Sequence, residues 1–299
     1  SGSGGNGGDL TLAAGATTAV NPAVGGAVSL LSGAGPLSGS VTVKSGAAGN
    51  GNSGNFVAGS GTSSTHATSV SGSVTLESGT AGNSPSGAMT LRTGAATGGH
   101  GGNIDILVGD GTASVGGSLV LSSGKSTATH AGNVYLGSGN SVGGRGGHVI
   151  VTAGSGSVGV GGQLVLSSGK STGGHSGAIH IGTETSTGGH GGDINMIVGS
   201  GNTLAGGDVT ITAGETTAAT DANSTGGKIS ITTGRSTRGS SGDFFLRTAA
   251  GGTAANPSTA ADGGGISGKV DIKTGDSTKG DSGSVLIASG TGVIGAGGD

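Results

Sequence analysis

One unit recurs almost from end to end of this chain: Gly-x-φ-x-φ-x-small-Gly, where φ is apolar, followed by a connector of Gly, Ser and Thr. From Gly72 to Gly207 each unit opens 15 residues after the last. Elsewhere one step shortens to 13, from Gly26 to Gly39, and insertions lengthen the chain near 15–26, 61–72, 214–227 and 249–268. Self-similarity at a fixed period marks a repeat architecture, in which each unit needs its neighbours to bury an apolar face. Eighteen modules read as a single repeat domain over 1–299.

Within a module the apolar residues alternate, as in Ile104/Ile106, Leu119/Leu121, Val149/Val151, Leu164/Leu166 and Ile229/Ile231. Period two predicts short strands. The next position on the same face is small in many modules (Ser123, Ala153, Ser168, Ala213, Thr233). Every unit carries the same polarity, and Asn-Gly hairpin turns do not separate them, so parallel stacking into an all-β solenoid with essentially no helix is the expected fold. Glycine would then serve corners that need positive φ.

A longer period sets the expected coil. Residues 103–132 and 148–177 share 16 of 30 identities at an offset of 45, and every third connector reads Gly-x-Gly: Gly109-Asp110-Gly111, Gly154-Ser155-Gly156 and Gly199-Ser200-Gly201. Three modules per coil fit this better than one or two. Leu121 and Leu166 should then lie one above the other, about 4.8 Å apart. Gly8-Asp9 and Gly298-Asp299 stand at the same phase, so six coils would present matched ends for stacking, unless the chain is a stretch of a longer array.

Composition pulls against a folded core. Gly accounts for 76 residues, and Leu, Ile, Val and Phe together for only 56 of 299, a combination typical of low-complexity chains. The net charge of −3 lacks the excess that marks a disordered one. Three Phe, one Tyr and no Trp on a near-neutral chain exclude nucleic-acid binding, since there is neither a basic surface nor a set of stacking platforms. Zero Cys removes thiol catalysis, thiolate metal sites and disulfides. No apolar run approaches the roughly 18 residues of a membrane span.

The candidate sites are few. His100, His130, His175 and His190 share one connector position, and His130 with His175 would stack in successive coils as the best metal candidates. No carboxylate recurs beside them, so a solvated corner is the simpler reading, and no metal or cofactor is expected. Calcium-binding Gly-Gly-x-Gly-x-Asp nonapeptides do not recur. Gly-x-Gly-x-x-Gly matches carry nothing in a chain so rich in Gly. Catalysis needs residues that break the repeat, and none does, so the chain is not expected to be an enzyme. Asn223, in Asn223-Ser224-Thr225, is the glycosylation candidate. Leu107, Ile150, Ile197 and Phe245 form an outward apolar stripe, expected to be covered by a neighbouring copy or by the insertion Ala249–Gly263.

The recurring Ser-Gly-x-Ser-Thr-Gly-Gly-His-Gly-Gly-x-Ile-x-Ile wording, seen around His175 and His190, resembles the Gly/Ser/Thr-rich repeat proteins of diatoms and related algae. The resemblance covers nearly the whole chain and implies a secreted or cell-surface structural protein. The expected function is therefore an extracellular filament or matrix fibre, with other copies as head-to-tail and lateral partners. An adhesin, or an ice- or glycan-binding surface built on Thr pairs such as Thr210 and Thr212, is the alternative.

Overall fold

Short polar residues and glycines favour tight reversal of the backbone, and the connectors are where this chain acquires local structure. A computed structural model describes residues 9–17, 24–49, 51–63, 69–203, 205–217, 224–252 and 266–291. Its backbone bends at 82–84, 97–99, 112–114, 127–129, 142–144, 157–159, 172–174 and 187–189, one bend per module at the 15-residue period.

On either side of a bend the chain is tied together. The N–H of Gly132 donates to the carbonyl of Gly124 at 3.0 Å, Gly147 to Gly139 at 3.0 Å, Gly162 to Gly154 at 2.8 Å, Gly177 to Gly169 at 3.1 Å and Gly242 to Gly234 at 3.0 Å. Each bond joins the Gly that ends one module to the Gly that opens the next. The first and third insertions, where the bond is seen, follow the same rule: Gly26 donates to Gly15 and Gly227 to Gly214, both at 2.8 Å.

The same closure explains the small position of the repeat. A methyl group built on the opening Gly would lie 3.3 Å from Cβ of Ser123 at Gly132, 3.2 Å from Ser138 at Gly147, and 3.3 Å from Ala153 at Gly162. Across the insertions the pairs persist, with 3.2 Å to Ala14 at Gly26, 3.4 Å to Ser60 at Gly72, 3.3 Å to Ala213 at Gly227 and 3.4 Å to Cγ2 of Thr248 at Gly268. A larger residue at either foot would push the two ends apart. Inserted residues therefore lengthen the loop and leave its feet in place.

Closures of this kind build both units into which the chain divides, Ser1–Ile150 and Val151–Asp299. They do not build a solenoid. Neither helix nor strand forms among the described residues, and none of their side chains is buried. The accessible surface is 29254 Å², against about 11,000 Å² for a folded chain of this mass and about 39,000 Å² for an unfolded one. Even Val108 and Ile104, among the better covered apolar residues, remain 42% and 48% exposed.

The β-solenoid with three modules per coil is thus corrected, and with it the stacking of Leu121 on Leu166, while Gly8, Gly298 and Asp299, on which the matched ends rest, lie outside the described residues. Alternation fixes which side chains share a face, but a strand exists only when its backbone finds a partner. Where a connector forms a main-chain bond here, it spends that bond on closing itself. Ordering so many glycines costs about 1–2 kcal/mol per residue, and inward residues as small as Ser and Ala return little by burial. The composition outweighs the pattern.

Glycine's role also differs from the expectation. Among the described residues only Gly51 has a positive φ, at 152°. Gly111 and Gly156, equivalent positions in two of the Gly-x-Gly connectors, are needed for close approach instead. A methyl group on Gly111 would lie 2.8 Å from the carbonyl oxygen of Val115, and on Gly156 2.8 Å from that of Val160. Gly156→Ala should therefore open its connector and weaken the Gly162-to-Gly154 bond. We expect the Gly162 amide to exchange roughly 2- to 10-fold faster, the equivalent of losing one net hydrogen bond, with Gly177 unchanged. Equal rates at Gly162 in both proteins would remove this role for Gly156.

Candidate functional site

The connectors hold most of the chain's organised polar chemistry, and they repeat it. Their Ser-Thr pair begins the bend. Ser126 Oγ accepts the N–H groups of Ala128 at 3.3 Å and Thr129 at 3.0 Å, and Ser236 Oγ those of Arg238 at 3.3 Å and Gly239 at 2.8 Å. Ser171 accepts from Gly174 at 2.9 Å, and Ser277 from Gly280 at 3.1 Å. A Ser hydroxyl that takes amides two and three residues on is a side-chain turn, which replaces a missing main-chain partner.

A second hydroxyl reinforces the feet of the loop. Ser123 Oγ donates to the Gly132 carbonyl at 2.8 Å, Ser138 Oγ to Gly147 at 2.9 Å, and Thr183 Oγ1 to Gly192 at 3.2 Å. Sequence reasoning read these positions only as small and missed their hydrogen bonds. The signal was present in the preference for Ser and Thr at many of these sites.

The histidines follow the bend. His100 Nδ1 lies 3.1 Å from the Gly101 carbonyl and His190 Nδ1 2.8 Å from that of Gly191. A carbonyl only accepts, so Nδ1 carries the proton in both rings and a neutral ring leaves Nε2 free as an acceptor. His130 and His175 are exposed, and the coil corner that was to stack them does not form. No three His, Asp or Glu side chains converge as metal ligands among the described residues.

Leu107, Ile150, Ile197 and Phe245 are 87%, 79%, 86% and 75% exposed. The guanidinium of Arg247 sits 5.8 Å from the centre of the Phe245 ring, the one cation–π contact among the described residues. Lys269 and Asp271 pair at 2.9 Å on the surface, where such a bridge contributes little. Asn223 lies outside the described residues, as does most of the insertion Ala249–Gly263. No cavity is formed among the described residues.

No family model, curated protein or solved structure matches this chain. The likeness to algal repeat proteins rests on the wording of the repeat alone.

The tautomer assignment is open to direct measurement. Long-range proton–nitrogen correlation spectra at a pH where the rings are neutral should show His100 and His190 protonated at Nδ1. Protonation at Nε2 in both would contradict the carbonyl contacts.

Proposed function

We propose that this chain is an extracellular structural protein that acts by associating with copies of itself, as material of a matrix or filament. The observation that carries the reading is the periodic exposure of its apolar residues. Each module offers two or three of them at a fixed spacing, and none of the described ones is buried within the chain. Apolar surface repeated on this scale favours association, and burying one Val, Leu or Ile contributes on the order of 1.5–3 kcal/mol before the costs of association.

Electrostatics does little to oppose contact between copies. Only 9% of residues are charged, and a net charge of −3 spread over 299 residues gives weak mutual repulsion. The extracellular setting is drawn from the resemblance to secreted algal repeat proteins. What the copies share is a repeated unit rather than a stack of coils, so association proceeds through the apolar segments themselves.

Charge also sets the pH at which assembly should be easiest. With 12 Lys and Arg against 15 Asp and Glu, the sequence isoelectric point is about 6.1. As pH falls towards that value the net negative charge is lost, and loss of net charge promotes association. Light scattering and sedimentation should therefore show assembly fastest near pH 6 and slowest above pH 8. A chain that remains a 27.0 kDa monomer at high concentration across this range, with no filaments by electron microscopy, would overturn the proposed function.

A further inference from the structure

Three successive segments of the first unit are apolar on both faces. In Ile104–Val108, Leu119–Leu121 and Val134–Leu136, alternate residues share a face, which leaves Leu107, Val120 and Tyr135 opposite their neighbours. The geometry bears this out at the third segment, where Asn133 Nδ2 donates to Tyr135 Oη at 3.0 Å, a contact between residues i and i+2. Leu107, Val120 and Tyr135 are 87%, 78% and 86% exposed. Segments apolar on both faces are the kind that proteins bury on both, and here neither face is covered.

The spacing identifies what covers them. One segment of this length falls far short of the roughly 800 Å² per partner that a stable interface buries, so several must engage together. The three open at Gly102, Gly117 and Gly132, with the 15-residue pitch unbroken by insertions. A partner must present strand-forming segments at that same pitch, and a second copy of this chain does so by construction. Segments with high strand propensity, no Pro and almost no charge are also those that pair with identical segments. Asp105 is the only charged residue in the three.

Direction follows from the side chains. Asn133 precedes the third segment as Asn103 precedes the first. Only parallel register sets each Asn against the same Asn of the next copy, where side-chain amides form a ladder. It also sets Leu107 on Leu107 and Tyr135 on Tyr135, equal volumes and stacked rings, whereas antiparallel pairing centred on Val120 sets Tyr135 against Asp105 and Asn133 against Leu107.

We propose that copies of the chain pair side by side in parallel register through these three segments, with Tyr135 of each copy against Tyr135 of its neighbour. The proposal rests on the reading of the chain as a self-associating protein and adds the segments, the direction and the register.

Tyr135 is the only tyrosine in the chain, which makes the register measurable. Light-driven ruthenium oxidation couples phenols that lie side by side. Applied to the assembled full-length protein, it should give a covalent dimer of twice 27.0 kDa with dityrosine fluorescence. The dilute monomer should give none, and Tyr135→Phe should assemble normally without the cross-link. A nitroxide on Tyr135→Cys should show the exchange-narrowed spectrum of stacked labels in the assembled state. Val120→Lys should raise the concentration needed for assembly at least 10-fold. Assembly with neither dityrosine nor exchange narrowing would overturn the parallel register, and assembly unchanged by Val120→Lys would overturn the choice of segments. A protein that never assembles fails at the earlier step, and the proposed function falls with it.

Discussion

A hydrogen bond between two glycines, the last of one module and the first of the next, is the constraint on which the described structure depends. It fixes the feet of eight connectors close together among the described residues, as at Gly124 and Gly132 or Gly154 and Gly162. From this follow the small residue nine positions before the opening Gly, the Ser and Thr hydroxyls that bond across the feet, and the bend between them. One such bond contributes only about 0.5–1.5 kcal/mol net, and in water it competes with solvent. Among the described residues no core joins the closures into a cooperative whole. They are local and separately reversible events, spaced at the interval that the repeat sets.

The polar chemistry of the chain is distributed in the same way. Ser126, Ser171, Ser236 and Ser277 perform one task in four connectors, and His100 and His190 hold the same ring orientation. A chain organised like this gains its effect by adding many equal and weak contacts, which suits association between long surfaces. The Arg247 guanidinium over Phe245 is an exception, a single contact that shields part of one ring.

The period, the positions of the insertions and the singular Gly-x-Gly connectors were all legible in the sequence, because each depends on residues close together along the chain. Gly111 and Gly156 show why: their neighbours in space are the carbonyls of Val115 and Val160, four residues on. Strand pairing was not legible. Ile104 and Ile106 alternate as they would in a strand, yet alternation says nothing about whether a partner backbone arrives, and Leu121 and Leu166 repeat one wording without forming a ladder. The low content of Leu, Ile, Val and Phe was the better guide to burial. The hydroxyl bonds of Ser123 and Ser126 escaped notice because Ser is so common here that its placement looked like composition.

The closure between feet also has a mechanical meaning. The residues from Gly124 to Gly132 are held with their ends at hydrogen-bonding distance, whereas the same stretch drawn out would span roughly 27 Å. Tension along the chain would break one weak tie at a time and release about 20 Å of slack at each. Those ties that enclose insertions, Gly15 to Gly26 and Gly214 to Gly227, store more. Every tie can form again once the load is gone, because its two ends remain within one short loop. The chain is therefore extensible in steps, and it dissipates work without breaking a covalent bond.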